Sequence, residues 1–386
     1  MPPGVRVSEV TRLLAALVAR PSTTPPGSTA AICEFIAATL REAGYAVEIH
    51  SRAPGVDNIV ARIGSGAPVL AFNSHVDTVA PGSGWTSDPY LLTALPGGRH
   101  AGLGAVNCKG SAAAQLWVAQ TVARAGGPLR GSLVFSFAGD EERLGPDGTQ
   151  FLAEAGHLKP DLLVMAAPTS NTLMVEERGV LWARLTTHGR AAHAGDPSAG
   201  DNAIARMARL LTCLERFAST ELTTRRLGAH QSTLNIGTIS GGANTNVVPD
   251  HCMVTLDRRL LPKEENIDAA MDELRNTLTA AGEAADRWQL ERITGTNGFR
   301  MSPDQALVRA FGAAVHKVSG RPPEFRVPVG ASDARFLSDS GAQIVIFGPG
   351  DEREGHAANE TVDAGALQAA CDIQLEVVRE LLGLAT

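Results

Sequence analysis

The sequence predicts an α/β protein, a parallel-rich mixed sheet in a larger domain interrupted by a smaller α+β domain, and three observations lead there. Short, nearly continuous apolar runs alternate with helical patterns, as strands covered on both faces by helices do. A middle region instead alternates apolar and polar residues, the pattern of half-buried antiparallel strands. The chain's 386 residues also exceed one typical domain of ~100 to 200 residues.

Residues 7–20 and 29–43 carry apolar residues at helical spacing on either side of the breaker PSTTPPGST, so two helices begin the chain. Strand runs follow: VLAFNSH from Val69, SLVFSFA from Ser132, DLLVMAA from Asp161 and QIVIFG from Gln343. SAAAQLWVAQTVARA, from Ser111, is a helix between the first two. From about Arg178 to about Ile293, GVLWARLTT, STLNIGTI and CMVTLDRR alternate in polarity. Two amphipathic helices accompany them, one with Ile204, Met207, Leu211 and Leu214 as its stripe, the other with Ile267, Met271, Leu274 and Leu278. The larger domain is therefore discontinuous, residues 1–177 and 294–386, and the inserted one spans 178–293.

With 44% hydrophobic and 19% charged residues the chain has the composition of an ordinary globular protein. A net charge of −7 with no run of Lys or Arg excludes the electrostatic footprint of a nucleic-acid or anionic-membrane binder, leaving a small molecule as the expected partner. Five cysteines, odd in number and without CxxC spacing, point to neither a disulfide framework nor a structural zinc site, and hence to a reducing cytoplasm. The first residues lack the pattern of a signal peptide, and no window reaches the ~20 apolar residues of a membrane span.

Ligands of open α/β sheets gather beyond the carboxyl ends of strands, and the polar clusters lie there. His75 and Asp77 follow one strand run, Asp140, Glu141 and Glu142 the next, and His356 the last. A histidine with an aspartate two residues on can bind a metal while the carboxylate orients its ring. Adjacent glutamates can divide the work of holding a cation and taking a proton from water.

The segments NSHVDTV, GAVNCKGS, AGDEERLGPDGT, AAPTS, GRAAHAGDPSAGDNAI, GGANTNVVPD with LDRRLLP, and GASDARFL with FGPGDEREGHAANE span nearly the whole chain. In order and spacing they resemble the acetylornithine deacetylase, succinyl-diaminopimelate desuccinylase and aminoacylase family of co-catalytic zinc metallopeptidases. The resemblance implies a ligand of the first metal in His75, with Asp77 orienting it, a general base in Glu141, and ligands of the second metal in Glu142 and His356. It implies that His193 donates a hydrogen bond to the reacting carbonyl in a neighbouring subunit's site, and that Asn246 and Arg259 recognise substrate, with a structural pair to Asp257 as the alternative for Arg259. It also implies a homodimer formed through the inserted lid/dimerisation domain.

Two positions depart from that family. Asn107 stands where a metal-bridging aspartate is expected, and Ala167 where a glutamate or aspartate precedes Pro-Thr. Two divalent cations roughly 3.5 to 4 Å apart repel strongly and need anionic ligands around them. Of three such carboxylates only Glu142 remains, so the expectation is an empty first site and at most one zinc per chain, or none, on Glu142 and His356 with the Asn107 oxygen. The leading function is a deacylase or peptidase acting on a small N-acyl amino-acid-derived substrate. Metal-independent acid/base chemistry (cyclisation, isomerisation, elimination or acyl transfer) and a non-catalytic binding role are the alternatives. Cys108 is either a replacement ligand, a nucleophile or a small buried residue.

Overall fold

Continuous apolar runs place six strands in the sheet of the larger unit, which comprises residues 1–175 and 301–386. The computed structural model describes residues 8–23, 27–143, 145–328 and 330–385. In spatial order the strands are Ala46–Ser51, Asp57–Gly64, Ser132–Ala138, Val69–His75, Leu162–Met165 and Gln343–Ile346. The first two pairings are antiparallel and the remaining three parallel, so the sheet is mixed. The run SLVFSFA is buried at every position, which is why it shows no alternation. The antiparallel edge, Ala46–Ser51 with Asp57–Gly64, was not anticipated by the sequence pattern. The DLLVMAA strand ends at Met165, leaving Ala166 and Ala167 in the loop beyond it.

Helices Glu9–Val18, Ala30–Glu42, Lys109–Arg124, Ala306–Ser319 and Ala364–Leu382 cover this sheet in a contiguous layer, with Lys109–Arg124 touching three of the others. The first begins where Ser8 Oγ accepts the N–H of Thr11 at 3.2 Å, an N-cap that ends the run of exposed backbone donors. The expected start at residue 7 lies outside the described residues. Among the described residues no helix is long and apolar enough to cross a membrane, and all five cysteines are free thiols.

Parallel pairing sets the position of the site. His75 lies opposite Ala138 in the register, so the residues after Val69–His75 and after Ser132–Ala138 leave the sheet at the same edge.

The second unit, Glu176–Arg300, holds a four-stranded antiparallel sheet in the order Thr233–Gly241, His251–Leu260, Gly179–His188, Trp288–Thr296. Its fourth strand was not recognised from sequence. Helices Ala203–Thr220 and Ile267–Ala280 bury Met207, Leu210, Leu214, Met271, Leu274 and Leu278 against the sheet. The stripe on the first helix needs correction: Ile204 is 39% exposed and Leu211 only partly buried, while Ala203, Leu210 and Phe217 face the core. Met207 and Leu214 belong to both stripes, and the core lies on their Ala203 and Leu210 side rather than their Ile204 and Leu211 side. Asn202, whose Oδ1 caps the N–H of Ala205 at 3.0 Å, marks where the helix starts. A short ladder of Glu176–Glu177 with Phe299–Arg300 closes the unit where the chain enters and leaves it.

Candidate active site

The two parallel strand ends, the turn before helix Lys109–Arg124 and the loop after strand Gln343–Ile346 bring six polar residues together in the larger unit. Asp77, fully buried, is the centre of the arrangement. Its Oδ1 lies 3.4 Å from His75 Nδ1, and its carboxylate accepts the consecutive N–H groups of Glu141 and Glu142 at 3.3 and 3.1 Å. One carboxylate thereby fixes both the histidine ring and the turn that presents the two glutamates. His75 Nδ1 also lies 3.2 Å from the Asp77 carbonyl oxygen.

Asn107 spans the site. Its Oδ1 is 3.3 Å from His75 Nε2, and its Nδ2 donates to Glu142 Oε1 at 3.0 Å and lies 3.1 Å from His356 Nε2. His356 Nε2 is 2.9 Å from Glu142 in turn. Glu141 Oε2 stands 3.8 Å from His75 Nε2. The loop carrying Asn107 is held from below by Glu360, whose carboxylate accepts the N–H groups of Gly104, Val106 and Asn107. On the glutamate side, Gly145 lets its loop pass against Asp140: a Cβ there would collide with the Asp140 carboxylate. Ala167, in the loop beyond its strand, brings no side-chain ligand atom; its carbonyl accepts the N–H of Thr169 at 2.9 Å.

Burial and crowding shape the charges. Burial pushes the Glu141 carboxyl up to about 8, against the pull of His75 and with the help of the Asp333, Glu142 and Asp77 charges. His75 is held well above the usual histidine range: burial opposes its charge, but the Glu141 charge and the hydrogen bond His75 donates to Asp77 outweigh that. The Glu142 hydrogen bond raises His356. Burial also raises Asp333, which is 3% exposed and has one oxygen, Oδ1, without a hydrogen-bond partner. Asp333 and Glu360 were missed from sequence, although both lie in quoted segments, because their importance comes only from what folding places beside them. Cys108 is completely buried at the start of its helix. Lys109 is buried as well, donates to the Arg20 carbonyl at 2.9 Å, and is pushed down to about 7 by burial.

Imidazole and carboxylate donors are the ligands a divalent cation of the zinc class takes. The ligand atoms of His75, Glu141 and Glu142 lie within 4.8 Å of one another and His356 Nε2 stands 2.9 Å from Glu142, so the donors around Glu142 fit such a cation.

The remaining three residues belong to the second unit. Segments 192–194 and 246–248 run side by side, with Ala194 N–H donating to Asn246 O at 2.9 Å, which brings His193 and Asn246 together. The Gly195 N–H donates to His193 Nδ1 at 2.9 Å. That nitrogen is therefore the acceptor, and the ring proton belongs on Nε2. Arg259 makes a two-pronged pair with Asp257, Nε to Oδ1 at 2.8 Å and Nη2 to Oδ2 at 2.9 Å.

Residues 71–380 match the model of the peptidase family M20/M25/M40. The chain belongs to peptidase family M20. It is 31% identical to a succinyl-diaminopimelate desuccinylase of Alkalilimnicola ehrlichii over 98% of this chain and 100% of that one. To the desuccinylase of Methylorubrum populi it is 32% identical, over 86% and 88% of the two chains. Among solved structures, a Staphylococcus aureus tripeptidase superposes with a TM-score of 0.77 at 22% identity, covering 97% of this M20 chain and 98% of that chain. A dinuclear metal-binding M20 peptidase from Bacillus subtilis gives 0.73 at 17% identity, covering 97% of each. The M20 protein is accordingly an amidohydrolase, an enzyme acting on C–N bonds, from a metal-dependent family.

Proposed function

We propose that the protein hydrolyses the N-acyl amide bond of a small amino-acid-derived substrate, with Glu141 as general base, at a site that holds at most one zinc. The observation that carries this is Glu141 itself. Its part-buried carboxylate stands 3.8 Å from His75 Nε2 on a turn pinned by Asp77, and with its pKa raised by desolvation it is matched to taking a proton from water and returning it to the leaving amine near neutral pH. Asp77 fixes the backbone of both glutamates, so Glu141 and Glu142 act from a set geometry. His193, with its proton on Nε2, is suited to donate to the oxyanion that forms at the carbonyl. It serves the site of a second copy in a homodimer, and the complete catalytic unit is then that dimer. Asn246 and Arg259 bind a carboxylate of the substrate, Arg259 by exchanging its pairing with Asp257.

The limit of one ion rests on Asn107 and Ala167. A neutral amide replaces an anionic bridge, its Nδ2 has no lone pair to offer Glu142's side of the site, and Ala167 offers nothing. Glu142 and His356 would hold the ion, and when bound it supplies Lewis-acid polarisation of the amide carbonyl. The kinship with desuccinylases favours a substrate whose acyl group carries its own carboxylate.

The metal-free alternative has a specific observation in its favour: the Asn107 amide already links His75, Glu142 and His356 through side-chain contacts. The deciding experiment measures release of free amine from N-succinyl and N-acetyl amino acids by the native protein and by Glu141→Gln, with added zinc and with chelator. Zinc-stimulated hydrolysis lost in Glu141→Gln supports the proposal. Hydrolysis indifferent to chelator moves the chemistry to the metal-free cluster, and tight binding without turnover in either protein makes this a binding relative.

A further inference from the structure

A second group of metal-ligating side chains lies in the larger unit, apart from the strand-end site. Glu48 and His50 are two residues apart on the edge strand Ala46–Ser51, so both side chains project from one face of it. His157 follows the helix Thr149–Glu154, its N–H donating to the Leu152 carbonyl at 2.9 Å, which closes the helix end and fixes where the ring starts. The His50 and His157 rings stack with centroids 3.7 Å apart and 21° between their planes. Phe151 meets His157 edge-on at 5.8 Å, and the Arg52 guanidinium lies over Phe151, so an aromatic ring backs the pair.

The ligand atoms of Glu48, His50 and His157 all lie within 4.8 Å of one another. His50 Nε2 is buried and makes no hydrogen bond, although Glu48 Oε2 is only 3.0 Å away. A buried ring nitrogen without a partner is costly, and a carboxylate that close but out of line for a hydrogen bond stands where a co-ligand would. Two imidazoles and one carboxylate form a donor set that zinc favours, with ligand atoms about 2.0 to 2.2 Å from the ion. The rings lie face to face, so an ion bound there would turn each ring until the nitrogen edges converge. Glu48 is exposed, which leaves room for water as a fourth ligand.

We infer that Glu48, His50 and His157 form a binding site for a divalent transition-metal ion of the zinc class. The site lies three strand spacings of about 4.8 Å across the sheet from His75, about 14 Å away, too far for its ion to touch the reacting atoms. Its role is structural. The ion ties the edge strand to the end of the segment that begins with Glu141 and Glu142. Asn58 already stitches these parts together, its Nδ2 donating to the His50 carbonyl at 3.1 Å and to the Asp147 carbonyl at 2.9 Å.

The test is a zinc titration of the full chain carrying Glu142→Ala and His356→Ala, so that the strand-end site does not enter the count. One zinc per chain is expected, with a rise in Tm on binding, and cobalt in its place should give the intense visible absorption of a tetrahedral site. Adding His157→Gln or His50→Gln should weaken binding about tenfold or more and abolish that absorption, while circular dichroism confirms that each variant is folded. No zinc bound by the parent variant, or binding unchanged by both glutamine substitutions, overturns the proposal.

Discussion

The two units of this chain both bury charge, and they settle it in opposite ways. In the second unit Arg258, with a side chain only 1% exposed, donates to Glu265 at 2.7 Å and to Ser232 at 2.8 Å. Arg225 reaches Glu265 at 3.0 Å and Glu273 at 2.7 Å, and Glu265 also accepts the Leu261 N–H at 2.7 Å. Cations and anions alternate there, and Glu265 is held below the usual carboxylate range: burial opposes its charge, but Ser232, Leu261 and Arg258 outweigh it. At the strand ends of the larger unit, the carboxylates Asp77, Glu141, Glu142 and Asp333 outnumber the cationic partners His75, His356 and Arg335, whose Nη2 is 3.6 Å from Asp333 Oδ1, and Glu141 and Asp333 are raised. A balanced network stabilises a fold, whereas an excess of carboxylates keeps affinity in reserve for a proton or a cation.

That contrast can be broken by substitution. Glu141→Gln should lower kcat on the order of 10³-fold, within the range for loss of a general base, while KM changes little. The same variant should be more stable than the native protein. An acid with a raised folded pKa binds its proton more tightly folded than unfolded, so Glu141 costs stability above the ordinary carboxylate range and that cost disappears as pH falls. Thermal denaturation at neutral pH should therefore show a higher Tm for Glu141→Gln, and an unchanged or lower one contradicts the account of crowded charge.

Glu265→Ala should do the reverse, destabilising the second unit by about 3 to 5 kcal/mol because Arg258 is left buried without its main partner. Glu265 has a lowered folded pKa, so its contribution is present above the unfolded carboxylate range and is lost as pH falls through the lowered value. Denaturant unfolding at neutral and acidic pH would measure both effects.

The pH profile sharpens the comparison further. Metal-free protein should show kcat/KM rising with pH through about 8 as Glu141 loses its proton. A bound cation favours the carboxylate and should move that limb to lower pH. The smallest effect expected is at Asp257→Asn, which loosens the two-pronged hold on Arg259 and should change KM a few-fold without touching kcat.

Much of this was legible in the sequence where a signal is local. SLVFSFA read as a strand because every residue is buried, and the strand-end rule located His75, Glu141 and His356 beside a common edge. Less was legible where the answer depends on partners far along the chain. The phase of the helix Ala203–Thr220 was misjudged because Leu210 and Leu211 both satisfy helical spacing and only the sheet decides between them. Asp77's hold on two backbone N–H groups, and Glu360's on three, have no sequence signature at all. The meaning of Asn107 and Ala167 came only from the family pattern, since asparagine and alanine are unremarked residues in isolation.

The most direct test of the central claim is the zinc content of saturated protein, measured by elemental analysis in a His50→Gln/His157→Gln background and compared with the same protein carrying Asn107→Asp and Ala167→Glu. At most one zinc per chain is expected before those two changes and about two after them. Two zincs per chain with Asn107 and Ala167 still in place would contradict it.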